Sequence, residues 1–346
     1  MLILGIESSC DETAVSVVEN GRIVRSSLIA SQVDAHARYG GVVPEVAARE
    51  HLKSIDPLTR QALSEANVSG KDIGMVCVTA GPGLIGPLLV GVSYARGLAV
   101  SLGCPLVPVD HVHAHVHGAL LGLPPEESID SLFPAIAIVA SGGHSNIYFM
   151  QDKLTFKLLG YTLDDACGES FDKVAKILGL GYPGGPIIEK CARAGRADAV
   201  PMPSLMVAKS DYLLSYSGLK THMANLARQH LARENSDEQK LADICASFQE
   251  VALGQLVRKL ALAASNHPQC KSIIVAGGVS ANERFRTMLT SSVKQRCLFP
   301  PLKYCGDNAA MIAAYGYHLF AAKKSADYSA EANWEAYSRY QFEAVQ

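Results

Sequence analysis

The chain has 346 residues, of which 49 % are hydrophobic and 18 % charged, with a formal charge of −2 at pH 7. That length suggests two subdomains, with ample apolar material for a sizeable buried core. The charge balance excludes a strongly basic nucleic-acid binder, so an RNA substrate would need local patches or partner subunits for its phosphates. No apolar run of membrane-spanning length stands clear of Gly, Pro and charge, which predicts no membrane span. Met1 leads directly into a strand-like segment without a basic leader, and the expectation is a cytoplasmic protein. Nine cysteines lie singly with no CxxC pair, against both a disulfide framework and a zinc knuckle.

In chain order, Leu2–Glu7 reads as an apolar strand, Thr13–Val18 alternates as a second, and Ile23–Ala30 returns as a third. Asn20-Gly21 between the last two is a preferred tight-hairpin pair. From Val43 to about Ala66 the period becomes helical, with Val46, Ala47, His51, Ile55 and Leu58 on one face. Strand Met75–Ala80 runs into Gly81-Pro82-Gly83. An almost uncharged helix over about 86–102 follows, suited to core and secondarily to a dimer surface. Leu106–Val109 is the next strand.

The pattern then restarts. Pro134–Ala140, Ser145–Met150 and Leu154–Gly160 repeat the three-strand order. Helices are predicted over about 167–178, 216–231 and 237–265, then strand Ser272–Ala276, a helix over 280–291 and a final helix after Asp307. Two meanders, each followed by alternating helices and strands, predict two α/β lobes with mixed sheets. In such architectures ligands gather at the carboxyl ends of strands, in a crevice between lobes.

The densest chemical signal is Asp110-His111-Val112-His113-Ala114-His115-Val116-His117. On a helix His111 and His115 share one face, and His113 and His117 share roughly the opposite one. Either pair could grip a metal if a third ligand came from elsewhere. The bland alternative is a partly exposed helix start carrying incidental histidines. A zinc-protease reading fails on the HExxH test, because Val112 and Ala114 stand where the catalytic Glu would be.

Three glycine loops follow strand-like or helical segments: Ser141-Gly142-Gly143-His144, Gly181-Tyr182-Pro183-Gly184-Gly185-Pro186 and Ala276-Gly277-Gly278-Val279-Ser280-Ala281-Asn282. Glycine lets a backbone approach an anion or a nucleotide closely. Together with the histidines they favour a nucleotide-like ligand. Asp11 and Glu12 follow the first strand, and Asp164, Asp165 and Asp172 surround Cys167. Asp307 stands at a helix start, where an N-cap would also place it.

Several segments occur in the order of one family: Gly5-Ile6-Glu7-Ser8-Ser9-Cys10-Asp11-Glu12-Thr13, Tyr39-Gly40-Gly41-Val42-Val43-Pro44-Glu45 and Thr79-Ala80-Gly81-Pro82-Gly83-Leu84. Ser141–His144, Tyr182–Pro186, Ser215-Tyr216-Ser217-Gly218-Leu219-Lys220, Ala276–Asn282 and Asp307-Asn308 continue the series. Over about residues 3 to 322 the chain resembles the bacterial tRNA N6-adenosine threonylcarbamoyltransferases, once labelled glycoproteases.

The resemblance implies the two-lobed actin, sugar-kinase and heat-shock-chaperone fold, α/β, with a nucleotide cleft. The expected lobes are 1–128, completed by a C-terminal helix over about 323–346, and 129–322. It implies transfer of the threonylcarbamoyl group of threonylcarbamoyl-AMP to N6 of adenosine 37 in tRNAs reading codons that begin with A, releasing AMP. By position, His111, His115 and Asp307 look like ligands of one divalent metal, Fe2+ first and Zn2+ second. Val139, Ala140, Ser141, Gly142, Gly143, Asp172, Gly185, Glu189 and Asn282 look like the adenylate site, with Asp11, Glu12 and His144 near the reacting groups. A paralogous scaffold subunit and a small ATPase are the implied helpers.

The histidines at 113 and 117 depart from the family pattern; they are expected to point away from the cleft. Competing readings are a small-molecule kinase or ATPase of the same fold, which the absence of Asp-x-Gly at the strand ends disfavours, and a non-catalytic scaffold paralogue.

Overall fold

A computed structural model describes residues 1–37, 39, 41–124, 126–205, 211–231, 238–322 and 327–339. The chain divides into two compact units, Met1–Glu127 with Gly306–Gln346, and Ser128–Cys305.

The first unit holds β1 (Leu2–Glu7), β2 (Glu12–Glu19), β3 (Ile23–Ser31), α1 (Val33–Ala37), α2 (Pro44–Glu65), β4 (Ile73–Gly81), α3 (Ile85–Leu102), β5 (Leu106–Asp110) and α4 (His111–Leu120). Its sheet runs β3-β2-β1-β4-β5. The β1–β2 and β2–β3 pairs are antiparallel, and β4 and β5 are added in parallel. Asn20 and Gly21 both take positive φ at the hairpin, as a turn matched to strand twist requires. The second unit holds β6 (Ala135–Ala140), β7 (Ser145–Met150), β8 (Phe156–Tyr161), α5 (Cys167–Ile177), α6 (Gly184–Ala192), α7 (Ser217–Leu231), α8 (Glu238–Asn266), β9 (Ser272–Ala276), α9 (Glu283–Ser292) and β10 (Arg296–Leu298). Its order β10-β9-β6-β7-β8 reproduces the first sheet's topology.

The central strands β1 and β6 are apolar along nearly their whole length, as strands buried on both faces are. Leu4, Ile6, Val76, Val78, Val92 and Ala95 anchor the first core, and Ile136, Ile138, Phe171, Phe248, Leu256 and Ile273 the second. Three short elements escaped the sequence pattern: α1, five residues long, β10, three residues long, and α6, whose Gly-Gly-Pro start reads as a loop. All nine cysteines are free.

The last helix, α10 (Ala309–Ala322), belongs to the first unit, whereas the sequence reading ended the second lobe at 322. Small residues explain the docking. A Cβ on Gly5 would lie 2.2 Å from the Ala309 carbonyl oxygen, and one on Gly316 would lie 2.3 Å from Cys77 Sγ. The expected C-terminal helix is absent from 327–339, and 323–326 and 340–346 lie outside the described residues. Residues 327–339 instead form a strap along the first unit. Leu106 N donates to Tyr328 O at 2.7 Å, Tyr337 N donates to Ala80 O at 2.9 Å, and Arg96 donates to the carbonyls of Ala330, Ala332 and Trp334.

By length and composition alone α3 could cross a membrane. Its Leu88, Val92, Ala95 and Ala99 are buried in the first unit, while Ile85, Leu89 and Val100 are exposed, so one face of the helix packs on the core.

Candidate functional site

In the first unit the site begins where β1 ends. Glu7 is a carboxylate closing an otherwise apolar strand, and it is fully buried. Its Oε1 accepts from Ser9 N at 2.6 Å, and its Oε2 accepts from Thr79 Oγ1 at 2.6 Å and lies 3.0 Å from His111 Nδ1. Asp110 closes β5 and caps α4, accepting from His113 N at 2.8 Å. Its other oxygen accepts from the Tyr337 hydroxyl of the strap at 2.6 Å.

This entry angle gives α4 two different faces. His111 and His115 share one, with ring centroids 4.7 Å apart. Asp307, just ahead of α10, brings Oδ1 to 3.2 Å from His115 Nε2 and 3.6 Å from His111 Nε2. One donor atom from each of the three lies within 4.8 Å of the others, so this group could hold a metal ion. On the other face His117 is buried with its ring 4.5 Å from that of Tyr315 and 5.3 Å from that of His318, both on α10. The His113 ring lies 6.2 Å from Tyr315. Every residue of α4 except His113 is buried, so the helix is no exposed start with incidental histidines.

The donor chemistry fits a cation. Both ring nitrogens of His115 are buried without a hydrogen-bond partner among the described residues, Nε2 facing Asp307 outside acceptable hydrogen-bond geometry. Asp11, Glu12, Glu7 and Asp307 also crowd one another. Burial, then the charges of Asp307 and Asp11, push the Glu12 carboxyl up to about 9. Burial lowers His111, but the Glu7 and Asp307 carboxylates outweigh it and raise the imidazole to about 9. Burial would likewise raise Glu7, yet the charge and hydrogen bond of His111 hold it below the ordinary carboxylate range. A positive ion among these groups would relieve the repulsion between their carboxylates.

His51 shapes the turn that carries Asp11 and Glu12. The Cys10 carbonyl can only accept, so His51 Nε2 donates to it at 3.1 Å, and Nδ1 accepts from Thr13 Oγ1 at 2.7 Å. Sequence reasoning saw His51 only as a helix-face residue and gave Glu7, Ser9, Thr79 and Tyr337 no role. A lone Glu ending an apolar strand was the available signal.

In the second unit the loop after β6 carries the glycines. Ser141 N donates to His144 O at 2.8 Å, and Ser141 Oγ accepts from His144 N at 3.1 Å, which closes the turn. Hydrogen bonds and close backbone contacts then link the remaining adenylate candidates into a ring. Gly168 N of α5 donates to Ser141 O, Gly184 N of α6 donates to Asp172 Oδ1 at 2.7 Å, and Glu283 N of α9 donates to Glu189 Oε1 at 2.9 Å. Asn282 caps α9 through Phe285 N and donates to Gln249 Oε1 at 2.8 Å. Gly277, with φ of 86°, returns to β6, where a Cβ would sit 2.4 Å from Ala140 O. Val139 and Ala140 are buried in β6 below the loop.

The glycines of this ring are of two kinds. Gly168, Gly184 and Gly277 have backbone within 2.4 to 2.6 Å of where a Cβ would be, so they let segments touch. Gly142, Gly143, Gly185 and Gly278 have nothing within 4 Å there. Packing does not demand glycine at those four. They leave bare backbone facing open space, as a flat or anionic ligand requires.

Comparison with known proteins gives the two sites their chemical context. The family model described as tRNA N6-adenosine threonylcarbamoyltransferase matches residues 23–314. The chain belongs to this family. It is 45 % identical over 336 residues to the tRNA N6-adenosine threonylcarbamoyltransferase of Moorella thermoacetica, covering 95 % of each chain. It is 47 % identical over 325 residues to that of Symbiobacterium thermophilum, covering 93 % of this chain and 92 % of the relative. The enzyme is thus an acyltransferase of tRNA modification, and tRNA is the substrate of its family. Among solved structures, component A of the Acidaminococcus fermentans (R)-2-hydroxyglutaryl-CoA dehydratase superposes with a TM-score of 0.52 at 16 % identity. The match covers 93 % of this chain and 99 % of that one. The likeness shows the fold, the actin, sugar-kinase and heat-shock-chaperone class, with a mixed five-stranded sheet in each unit.

Proposed function

We propose that the enzyme transfers the threonylcarbamoyl group of threonylcarbamoyl-AMP to N6 of adenosine 37 in tRNAs reading codons that begin with A, releasing AMP, and that it works in the cytoplasm. The observation that carries this reading is the convergence of His111, His115 and Asp307 in a member of this family.

The donor is an activated mixed anhydride, whereas the N6 lone pair is delocalised into the purine ring. Positioning therefore supplies much of the rate, up to roughly 7–11 kcal/mol in well-oriented cases. We assign the adenylate to Val139–Gly143, Asp172, Gly185, Glu189 and Asn282, where bare glycine backbone admits the ribose and base and offers N–H groups to anionic oxygens. His111, His115 and Asp307 would hold the metal, Fe2+ by the two-histidine, one-carboxylate set or Zn2+. When bound, it supplies a Lewis-acidic template for anionic oxygens and a counter-charge to the surrounding carboxylates. We assign removal of the N6 proton to the Asp11–Glu12 pair; burial, and then the charges of Asp307 and Asp11, raise the proton affinity of Glu12. His144 is assigned to the reacting groups by its place beside Ser141.

An anticodon-loop base suits such a site because it can be splayed out without melting a duplex. The slightly acidic chain calls for helpers to hold tRNA, and we assign that work to a paralogous scaffold subunit and a small ATPase. Leu52 and Ile55 of α2 with Leu89, Val90 and Tyr94 of α3 line a shallow, mainly apolar groove that suits the scaffold.

The test is His111→Ala supplied with donor, helpers and tRNA, read by metal analysis and nucleoside mass spectrometry. Metal content and modified adenosine should both fall to background while unfolding stays cooperative. Wild-type levels of both would overturn the assignment.

A further inference from the structure

Glu7 is a buried acid that the mechanism above does not use. Three groups converge on its two oxygens. Ser9 N–H donates to Oε1 at 2.6 Å, while Thr79 O–H donates to Oε2 at 2.6 Å and His111 Nδ1 stands 3.0 Å from that same oxygen. Ser9 Oγ lies 3.2 Å from His111 Nδ1 as well. A carboxylate is acceptor-only, so Nδ1 must carry a hydrogen, and Nε2 is the nitrogen left to face Asp307, 3.6 Å away. A ring nitrogen that binds a metal has its partner N–H oriented by such a carboxylate.

From this geometry we infer that Glu7 is a positioning residue that holds His111 in the Nδ1–H tautomer, with Nε2 aimed at the metal. The inference rests on the metal reading of His111, His115 and Asp307 and deepens it. Thr79 and the Ser9 backbone fix the carboxylate, so the imidazole is oriented before any ion arrives.

The demand is for two accepting oxygens, which makes the nearly isosteric Glu7→Gln informative. Its single carbonyl oxygen must serve Ser9 N–H, because an NH2 group there would set donor against donor at 2.6 Å. The NH2 then falls beside Thr79 and His111, where it donates to Nδ1 and favours the Nε2–H tautomer. That tautomer turns an N–H, not a lone pair, toward the ion.

The experiment titrates chelator-stripped wild type, His111→Ala, Glu7→Gln and Ser26→Ala with Zn2+ against a competing chelator, and records Tm for each. Ser26→Ala is a control that removes a buried hydrogen bond to Ala62 O elsewhere in the first unit. Glu7→Gln should bind Zn2+ about 10–100-fold more weakly than wild type, and Ser26→Ala should lower Tm with its affinity unchanged. Wild-type affinity in Glu7→Gln overturns the inference and leaves the metal reading standing. Equal affinity losses in Glu7→Gln and Ser26→Ala would make Glu7 merely structural and also overturn it. Zn2+ binding in wild type no tighter than in His111→Ala defeats the metal reading itself. Should Glu7→Gln not fold, long-range proton–nitrogen spectra of Zn2+-loaded wild type decide. Nδ1–H with Nε2 on the metal supports the inference, and the reverse refutes it.

Discussion

The turn after β1 and the turn after β6 occupy equivalent places in two sheets of the same topology, yet they carry opposite chemistry. After β1 come Ser8, Ser9, Cys10 and Asp11, and the strand ends in a buried Glu. After β6 come Ser141, Gly142, Gly143 and His144, and the strand stays apolar to its end. The first turn gathers ionisable side chains, and the second withdraws side chains to present backbone. One topology thus supports a charge-rich cluster in one unit and a bare glycine ring in the other, because what lies at a strand end is set by residues the sheet itself does not need.

The glycine ring offers the largest effect by which to break this contrast. Gly277→Ala should cost about 2–4 kcal/mol, since its Cβ meets the Ala140 backbone and its φ is positive. Gly185→Ala, with open space at its Cβ, should leave denaturant midpoints within about 0.5 kcal/mol and raise the donor KM. Equal destabilisation of the two would erase the distinction between packing and ligand-facing glycines.

Opposite pH responses sharpen it further. His111 and Glu12 are both pushed up to about 9, so these two groups of the first unit hold extra protons in the native state. That contribution is full below the unfolded-state values, about 6.5 for His and 4.3 for Glu, and is lost as pH rises through about 9. Burial would raise Asp164 in the second unit, but hydrogen bonds from Ser215, Tyr216 and Ser217 hold it below the ordinary value. Its contribution is therefore present above about 3.9 and lost as pH falls through the native value. Chelator-stripped protein should lose Tm from about pH 4.3 upward, more steeply between about 6.5 and 9 where His111 adds its loss, and His111→Ala should flatten that upper part. Asp164→Asn should flatten the acid limb alone. A Tm-against-pH series checks both.

The smallest effect belongs to the strap. Tyr337→Phe removes the hydroxyl that Asp110 accepts while it caps α4, and should cost about 1 kcal/mol. Calorimetry would detect it, and an unchanged Tm would leave the strap no part in setting α4.

Much of the fold was legible. Apolar runs in β1, β4, β6 and β9, the Asn20-Gly21 hairpin and the period of α2 are local signals, and the structure has elements where they predict them. The start of α6 was not legible, because Gly184, Gly185 and Pro186 resemble a loop until α5 packs beside them. The boundary at 305/306 was hidden for a related reason, since the small residues that dock α10 on β1 are recognisable only once both are in place.

The four histidines show where local pattern stops. Helical spacing places them on two faces of α4 and, by the missing Glu, removes the protease mechanism. It treats the two pairs alike. Asp307 comes to one face, while Tyr315 and His318 pack on His117 at the other. That difference arises from a helix far along the chain folding back onto β1, a long-range packing event that spacing within α4 does not encode.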